Sequence, residues 1–367
     1  MYRRQLLFFT VSTLIIIGCH RPEAQKNIPG AARKIPNKFA QLFDIYTTNT
    51  DTLVHIYGQN QRPIGQYFWG KSEILQNHIK ITRGNTYVAL SAVFARMIHE
   101  LNLGDFIKGI DNRSFIPKDI KLHKNCNSLQ QGGILNKEAL LQIKPQITFT
   151  YLLDGSGEQE WKRLQHEQHC VVFIQSHLES HPLARAEWIR AVGWILGKPK
   201  LADSLYQQIE TSYIELKSSN TDGDPKTVML NLPFEGIWHI PNDSAYFTQI
   251  LRDAHFNPSW LIESSHSGIG ASSISMEDAI QYIQKSSYWL NLGSIKDISE
   301  ITQIDARLAE VTSKKSPNIF QNDKQIELNG ANSFWDLGTV HPELILKDLI
   351  LMQKDTSSEG LYFYRKL

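Results

Sequence analysis

The sequence predicts an α/β protein of two α/β lobes joined by one long backbone helix. Three observations carry this. The chain has 367 residues, enough for two domains at about 100–200 residues each. Strand-like and helix-like segments alternate in two separate stretches, the pattern of layers built on mainly parallel sheets. Between those stretches lies HPLARAEWIRAVGWILGKPKLADSLYQQIETSYIELKSS, His181 to Ser219, which reads as helix nearly throughout.

The elements follow in order. Residues 41–57 alternate around Asn49-Thr50-Asp51 and predict a hairpin; 79–82 is extended. Tyr87–Leu90 is a short apolar strand, Val93–Leu101 a helix and Phe106–Ile110 a strand. Lys137–Ile143 is a helix closed by Pro145, followed by a strand at Gln146–Leu153, a helix at Glu158–His166 and a strand at Cys170–Ile174. In the central stretch Trp188, Val192, Ile195 and Leu196 share one face. Gly197-Lys198-Pro199 interrupts it, Gly as a C-cap and Pro as a first-turn residue. Leu201, Leu205, Ile209, Tyr213 and Leu216 then make a second helical stripe. About 19 residues at about 1.5 Å each give a rod of about 28 Å, near a domain diameter. Ser218 to Pro225 is polar and turn-rich. Beyond it come strands at 227–232 and 236–240, helices at 244–254 and 275–285, a strand at 288–292, short strands at 318–321 and 325–328, and a helix at 342–353. The helical stretch therefore reads as a joint spanning two lobes; a crossover helix within one large sheet is the alternative. The predicted divisions are a signal peptide at 1–18, a flexible tether at 19–35, a first lobe at 36–180, connecting helices at 181–224 and a second lobe at 225–367.

The N-terminus is a targeting signal. Tyr2-Arg3-Arg4 is positive, Leu6 to Ile17 is apolar, and Gly18-Cys19 closes the run. Ile16-Ile17-Gly18-Cys19 resembles a bacterial lipobox, which implies cleavage before Cys19 and lipidation of that residue. A plain signal-anchor helix is the alternative. Several acyl chains on one residue give stable membrane anchoring, where a single chain holds only marginally. The folded part is expected outside the cytoplasmic membrane.

Lys+Arg is 38 and Asp+Glu 37, a net charge of +1; no basic face is implied, which excludes nucleic acid as the expected partner. Aromatics make up 10%, with eight Trp, and an excess over core needs lines binding clefts. Cys126 and Cys170 remain after the leader; an exported compartment permits a disulfide between them, and two free thiols are equally compatible. No phosphate-binding loop or dinucleotide fingerprint is present, and neither Gly155-Ser156-Gly157 nor Ser267-Gly268-Ile269-Gly270 has the flanks of a nucleophile elbow. His166 and His169, and His177 and His181, have spacings that could share a metal on a helix, but HExxH is absent and solvated helix ends account for them.

Ligands of open α/β sheets bind beyond the carboxyl ends of the strands. Those ends are Ser91, Asn112-Arg113, Asp154-Gly155 and Ser176 in the first lobe, and Leu232 to Trp238 and Asn291 to Ser294 in the second. A ligand cleft between the lobes is expected to use the aromatic faces of Trp238 and Trp335 and the polar groups of Ser91, Arg113, Asp154, Asn332 and Asp336. Trp188 and Trp194 belong to helix packing.

Over roughly residues 79–367 the chain resembles the solute-binding lipoproteins of ABC importers for ferric siderophores, haem and cobalamin. The resemblance is carried by Leu103-Gly104-Asp105-Phe106-Ile107-Lys108-Gly109-Ile110; by Gly132-Gly133 and Asn136 to Ile147; by Pro182-Leu183-Ala184-Arg185-Ala186-Glu187-Trp188-Ile189; and by Tyr246 to Ala254, Ser275-Met276-Glu277 and Gly330 to Gly338. It implies a monomeric, lipid-anchored binding protein without catalytic activity or cofactor. The ligand would be an iron-siderophore, haem or cobalamin type of metal chelate, delivered to an ABC permease. It further implies that Glu138 and Glu277, one per lobe, dock into Arg pockets of the permease, where carboxylate–guanidinium pairing can be bidentate. Two departures stand out: Ser91-Ala92-Val93-Phe94 replaces the family's turn after the first strand, and Ile143-Lys144-Pro145-Gln146-Ile147-Thr148 its LKPDLV. The alternative within the class is a free Zn or Mn binder; alternatives from other classes are a secreted hydrolase and a signalling receptor lobe without a permease. Lobe motion is expected to be modest, because a helix bends less readily than strand hinges.

Overall fold

The computed structural model describes residues 28–29, 31–131, 134–153, 157–166, 170–220, 223–262, 266–293, 295–313, 317–354 and 357–367. Cys19 lies outside them.

An antiparallel meander comes first: β1 (Arg33–Ile35), β2 (Phe43–Thr47), β3 (Asp51–Tyr57) and β4 (Pro63–Gly70), with β5 (Ile79–Lys80) added parallel to β4. The predicted hairpin is β2–β3; β1 and β4 extend it.

The first lobe holds β6 (Tyr87–Ala89), α1 (Ala92–Glu100), β7 (Ile107–Ile110), β8 (Asn127–Ser128), the small pair β9 (Gln130–Gln131) and β10 (Ile134–Leu135), α2 (Lys137–Ile143), β11 (Ile147–Thr150), α3 (Glu158–His166) and β12 (Cys170–Phe173). Its sheet is parallel, in the order β12-β11-β6-β7-β8. β6, β11 and β12 are buried along their whole length, as strands covered by helices on both faces must be. Cys126 and Cys170 are free thiols.

The connection is a helical hairpin of α4 (Pro182–Leu196) and α5 (Pro199–Ser218). His181 caps α4, Pro182 opens it, and Gly197 closes it in the left-handed region at φ 77°. α5 is the long helix; α4 folds back along it. Arg190 Nε pairs with Asp203 Oδ1 at 2.8 Å. A Cβ on Gly193 would sit 2.2 Å from that of Ala202, so only glycine permits this approach. The sequence suggests one apolar face on the first helix. Instead α4 is buried all round except at Arg185 and Trp194, because it packs on α5, on the meander and on both lobes.

The second lobe holds β13 (Lys226–Leu230), β14 (Trp238–Pro241), α6 (Tyr246–Asp253), β15 (Phe256–Pro258), β16 (Ala271–Ile274), α7 (Met276–Gln284), β17 (Tyr288–Leu290), α8 (Ile298–Ile304), α9 (Leu308–Ser313), β18 (Asn318–Gln321), α10 (Ser333–Val340), α11 (Pro342–Lys354) and β19 (Arg365–Lys366). Its sheet runs β15-β13-β17-β18-β19, parallel except for β19, and β14 pairs antiparallel with β16 beside it. The strand expected at 325–328 is absent; Ile326 makes only an isolated bridge to Asn332.

Two buried carboxylates fasten the meander to the helical hairpin. Glu187 accepts the backbone N–H groups of Lys38, Phe39 and Ala40, and Glu179 those of Gln41 and Leu42. Burial pushes the Glu179 carboxyl up to about 7 against the pull of those donors. The lobes are fastened by charge as well. Arg96 of α1 donates from Nε to Asp336 Oδ2 of α10 at 2.8 Å, both side chains buried, and from Nη1 to Asp119. His341 bridges Glu100 of α1 and Glu343 of α11 at 3.0 and 2.7 Å. Burial opposes its charge, but the two carboxylates outweigh it and raise the imidazole to about 10.

Candidate functional site: the cleft at the strand ends

In each sheet the strand order reverses about the first strand, β6 in one lobe and β13 in the other. Such switch points open a crevice outside the carboxyl ends of the strands, and a cavity lies at each.

The second-lobe cavity has a volume of about 650 Å³. Asn231, Asn291 and Asn322 immediately follow β13, β17 and β18, so three parallel strands end in an amide on this cavity. Asn231 and Asn291 take left-handed φ of 65° and 62°, which Asn tolerates better than most residues. The Asn231 amide donates to the His239 carbonyl at 2.8 Å, and Asn291 Oδ1 accepts the Tyr364 hydroxyl at 2.9 Å. Asn322 is only 4% exposed. Its backbone carbonyl accepts the Asn332 amide at 2.9 Å, while its own Nδ2 has no partner among the described residues. Leu232, Pro233, Phe234 and Trp335 supply the apolar wall. Among the described residues no Asp, Glu, Lys or Arg lines this cavity.

The first-lobe cavity is smaller, about 220 Å³, and Thr339 of α10 closes it from the other lobe. Ser91 lines it while its hydroxyl caps α1 through Val93 N. The Tyr151 ring stands edge-on to His177 at 5.6 Å. Burial holds the His177 imidazole below its ordinary value, and its Nε2 has no partner among the described residues. Arg185 lies over the Tyr246 ring at 3.6 Å and donates to the carbonyls of His177 and Glu179. A further cavity of about 430 Å³ shares Leu153 with this one and runs under the β3–β4 turn. There Arg62 grips the Glu158 carboxylate with both terminal nitrogens.

Of the residues expected in the cleft, Ser91, Asn332 and Trp335 line it. Asp154 lies outside the described residues. Arg113 is exposed on a one-turn helix and lines none of these cavities. Trp238 does not face the cleft: it is 1% exposed, stacks on Trp289 at 6.1 Å and donates to the Leu230 carbonyl. Asp336 is the buried partner of Arg96 and is likewise withdrawn. Glu138 and Glu277 are exposed in the first turns of α2 and α7, but Arg307 already pairs with Glu277. His181 serves as a helix cap, so the 177/181 pair makes no metal site. Among the described residues no three His, Cys, Asp or Glu side chains converge to hold a metal ion, and no helix is long and apolar enough to cross a membrane.

The sequence pattern of the periplasmic binding protein family matches residues 88–310, more than half of the chain. The chain belongs to that family. Solved structures repeat its fold at low identity. The vitamin B12 binding protein BtuF of Vibrio cholerae is 13% identical, with a TM-score of 0.51 over 74% of this chain and 98% of its own. The siderophore binding protein FhuD of Vibrio cholerae, solved with Fe3+-Desferal, is 12% identical, with a TM-score of 0.52 over 72% and 97%. A periplasmic haem binding protein from Pseudomonas aeruginosa is 14% identical, with a TM-score of 0.54 over 77% and 97%. No curated protein matches the sequence significantly. These relatives are solute-binding proteins, and membership implies an exported protein on the periplasmic side. The meander and the segment from Val311 onward, with Asn322, Asn332 and Trp335, lie outside the matched region.

Proposed function

We propose that this periplasmic binding protein captures an organic metal chelate between its lobes and delivers it to an ABC permease, held to the membrane by lipid on Cys19. The supporting observation is the character of the second-lobe cavity. Its wall of amides, Trp335, Phe234 and Leu232 suits the organic shell of a chelate. A naked Zn or Mn ion requires several converging imidazole or carboxylate ligands. Relatives named for vitamin B12, a siderophore and haem point the same way. Trp335, Asn332 and Ser91 contact the ligand in this reading, and the protein acts as a monomer without chemistry of its own. Glu138 and Glu277 are the docking carboxylates, with Arg307 released from Glu277 on contact.

The test is tryptophan fluorescence of the full-length chain in mild detergent, titrated with cobalamin, haem, ferric siderophores, Zn and Mn. Saturable quenching by one chelate is expected. A response to a free metal alone would replace this reading with metal-ion capture.

A further inference from the structure

Resting on the chelate-binding reading, the geometry points to a narrower ligand class. We infer that the second-lobe cavity recognises an uncharged, oxygen-bearing face of its ligand, with Asn322 Nδ2 as donor, and so selects chelates without net negative charge.

Three facts carry this. Three adjacent parallel strands each deliver an Asn to one wall, and among the described residues that wall holds no charged side chain. One end of each of the other two amides is engaged, Asn231 Nδ2 by the His239 carbonyl and Asn291 Oδ1 by the Tyr364 hydroxyl. Asn322 is the exception: a buried amide donor without a partner among the described residues, on a wall that faces the cleft. A buried donor left unpaired is costly, and a ligand carbonyl, amide or hydroxyl oxygen would satisfy it. An anionic face would lose its hydration with no charged side chain among the described lining residues to replace it. Two nearby guanidinium groups are committed elsewhere: Arg365 forks onto Asp323 at 2.7 and 2.8 Å, and Arg96 onto Asp336 and Asp119. Rejection of the wrong ligand then comes from polar groups that it leaves unpaired or repels.

The experiment compares a neutral ferric trihydroxamate (ferrichrome) and neutral cyanocobalamin with an anionic ferric tris-catecholate (ferric enterobactin) and haem, which carries two propionates. Affinities come from tryptophan quenching of the full-length chain and of an Asn322→Asp variant. One neutral chelate should bind at least about tenfold more tightly than either anionic one, and Asn322→Asp should weaken it by about tenfold or more. An anionic chelate that binds as tightly as the neutral ones overturns the inference and leaves the binding-protein reading standing. So does an Asn322→Asp chain that melts like the parent and binds the neutral chelate unchanged. Should that variant fail to fold, the parent's ratio of neutral to anionic affinity decides alone. Silence from every chelate overturns the inference together with the reading on which it rests.

Discussion

In the first lobe the polar groups at the strand ends mostly serve the chain itself. Ser91 caps α1, and beside it Arg185 of α4 holds two carbonyls and lies on Tyr246. In the second lobe the same positions carry Asn231, Asn291 and Asn322, and the buried Asn322 Nδ2 has no partner among the described residues. The cavities differ in the same sense, about 220 Å³ against about 650 Å³. Two lobes of like architecture thus divide the work. Each keeps one buried group without a partner among the described residues, His177 Nε2 in the first and Asn322 Nδ2 in the second, and the second has the greater room. In the chelate-binding reading, discrimination between ligands rests on such groups, because there binding completes bonds that the free protein lacks.

The division requires that the two surfaces be held face to face, and breaking that hold has the largest expected effect. Asp336→Ala leaves Arg96 buried with Asp119 as its remaining carboxylate, and should cost about 3–5 kcal/mol in urea unfolding. Asp119 is 57% exposed at its side chain, so Asp119→Ala should cost about 1 kcal/mol or less. Equal losses would mean that the second-lobe anchor is nothing special.

Next comes ligand affinity. Trp335→Ala should weaken chelate binding by roughly 10- to 100-fold, the range of an aromatic anchor at a contact surface. Tyr151→Ala, on the first-lobe side, should cost less than about tenfold. A larger loss at Tyr151 would reverse the assignment of roles.

A pH series probes the inter-lobe bridge. The His341 imidazole is raised from 6.5 in the unfolded chain to about 10 in the folded one. The folded state therefore binds the extra proton between those values, so stability is full below about pH 6.5 and falls as pH rises toward about 10. Denaturation midpoints at pH 6, 8 and 10 should decline more steeply for the parent than for His341→Gln. Parallel curves would show that the bridge is not charged.

The smallest effect concerns the two carboxylates proposed to dock. Glu138 has no ion-pair partner among the described residues, whereas Arg307 holds Glu277. Arg307→Ala should leave the melting temperature unmoved and tighten association with the permease. Weaker association would make Arg307 itself part of the docking surface.

Much of the fold was legible because buried parallel strands are short continuous apolar runs, as at Tyr87–Ala89 and Cys170–Phe173. β4 escaped notice because Pro63 and Gly65 interrupt its pattern, and α10 because eight residues mixing Gly, Thr and aromatics give a weak helical period. The site was harder. In β14 the alternation buries Trp238 and Ile240 and turns His239 toward the cavity. The right strand was therefore chosen with the wrong parity, and one step along a strand exchanges its faces. Neighbours on α10 diverge likewise: Trp335 is 58% exposed, and Asp336 is buried against a partner 240 residues away. No local pattern announces a contact at that separation. The amide row did leave a trace, an apolar strand closing on Asn in Val228-Met229-Leu230-Asn231 and again in Tyr288-Trp289-Leu290-Asn291. Extending the first of those strands to Leu232 hid its Asn inside the element.

α4 has a consequence for how the molecule comes apart. It packs on the meander and on both lobes, and its apolar residues belong to the single continuous core that runs through them. One lobe therefore cannot melt and leave α4 intact for the other. Amide protons in β6, β11, β13 and β17 should share one opening free energy and exchange at a common rate under native conditions. A protein whose two lobes share α4 should then denature as a single cooperative unit, and a separate, earlier transition in either lobe would show that α4 is no such keystone.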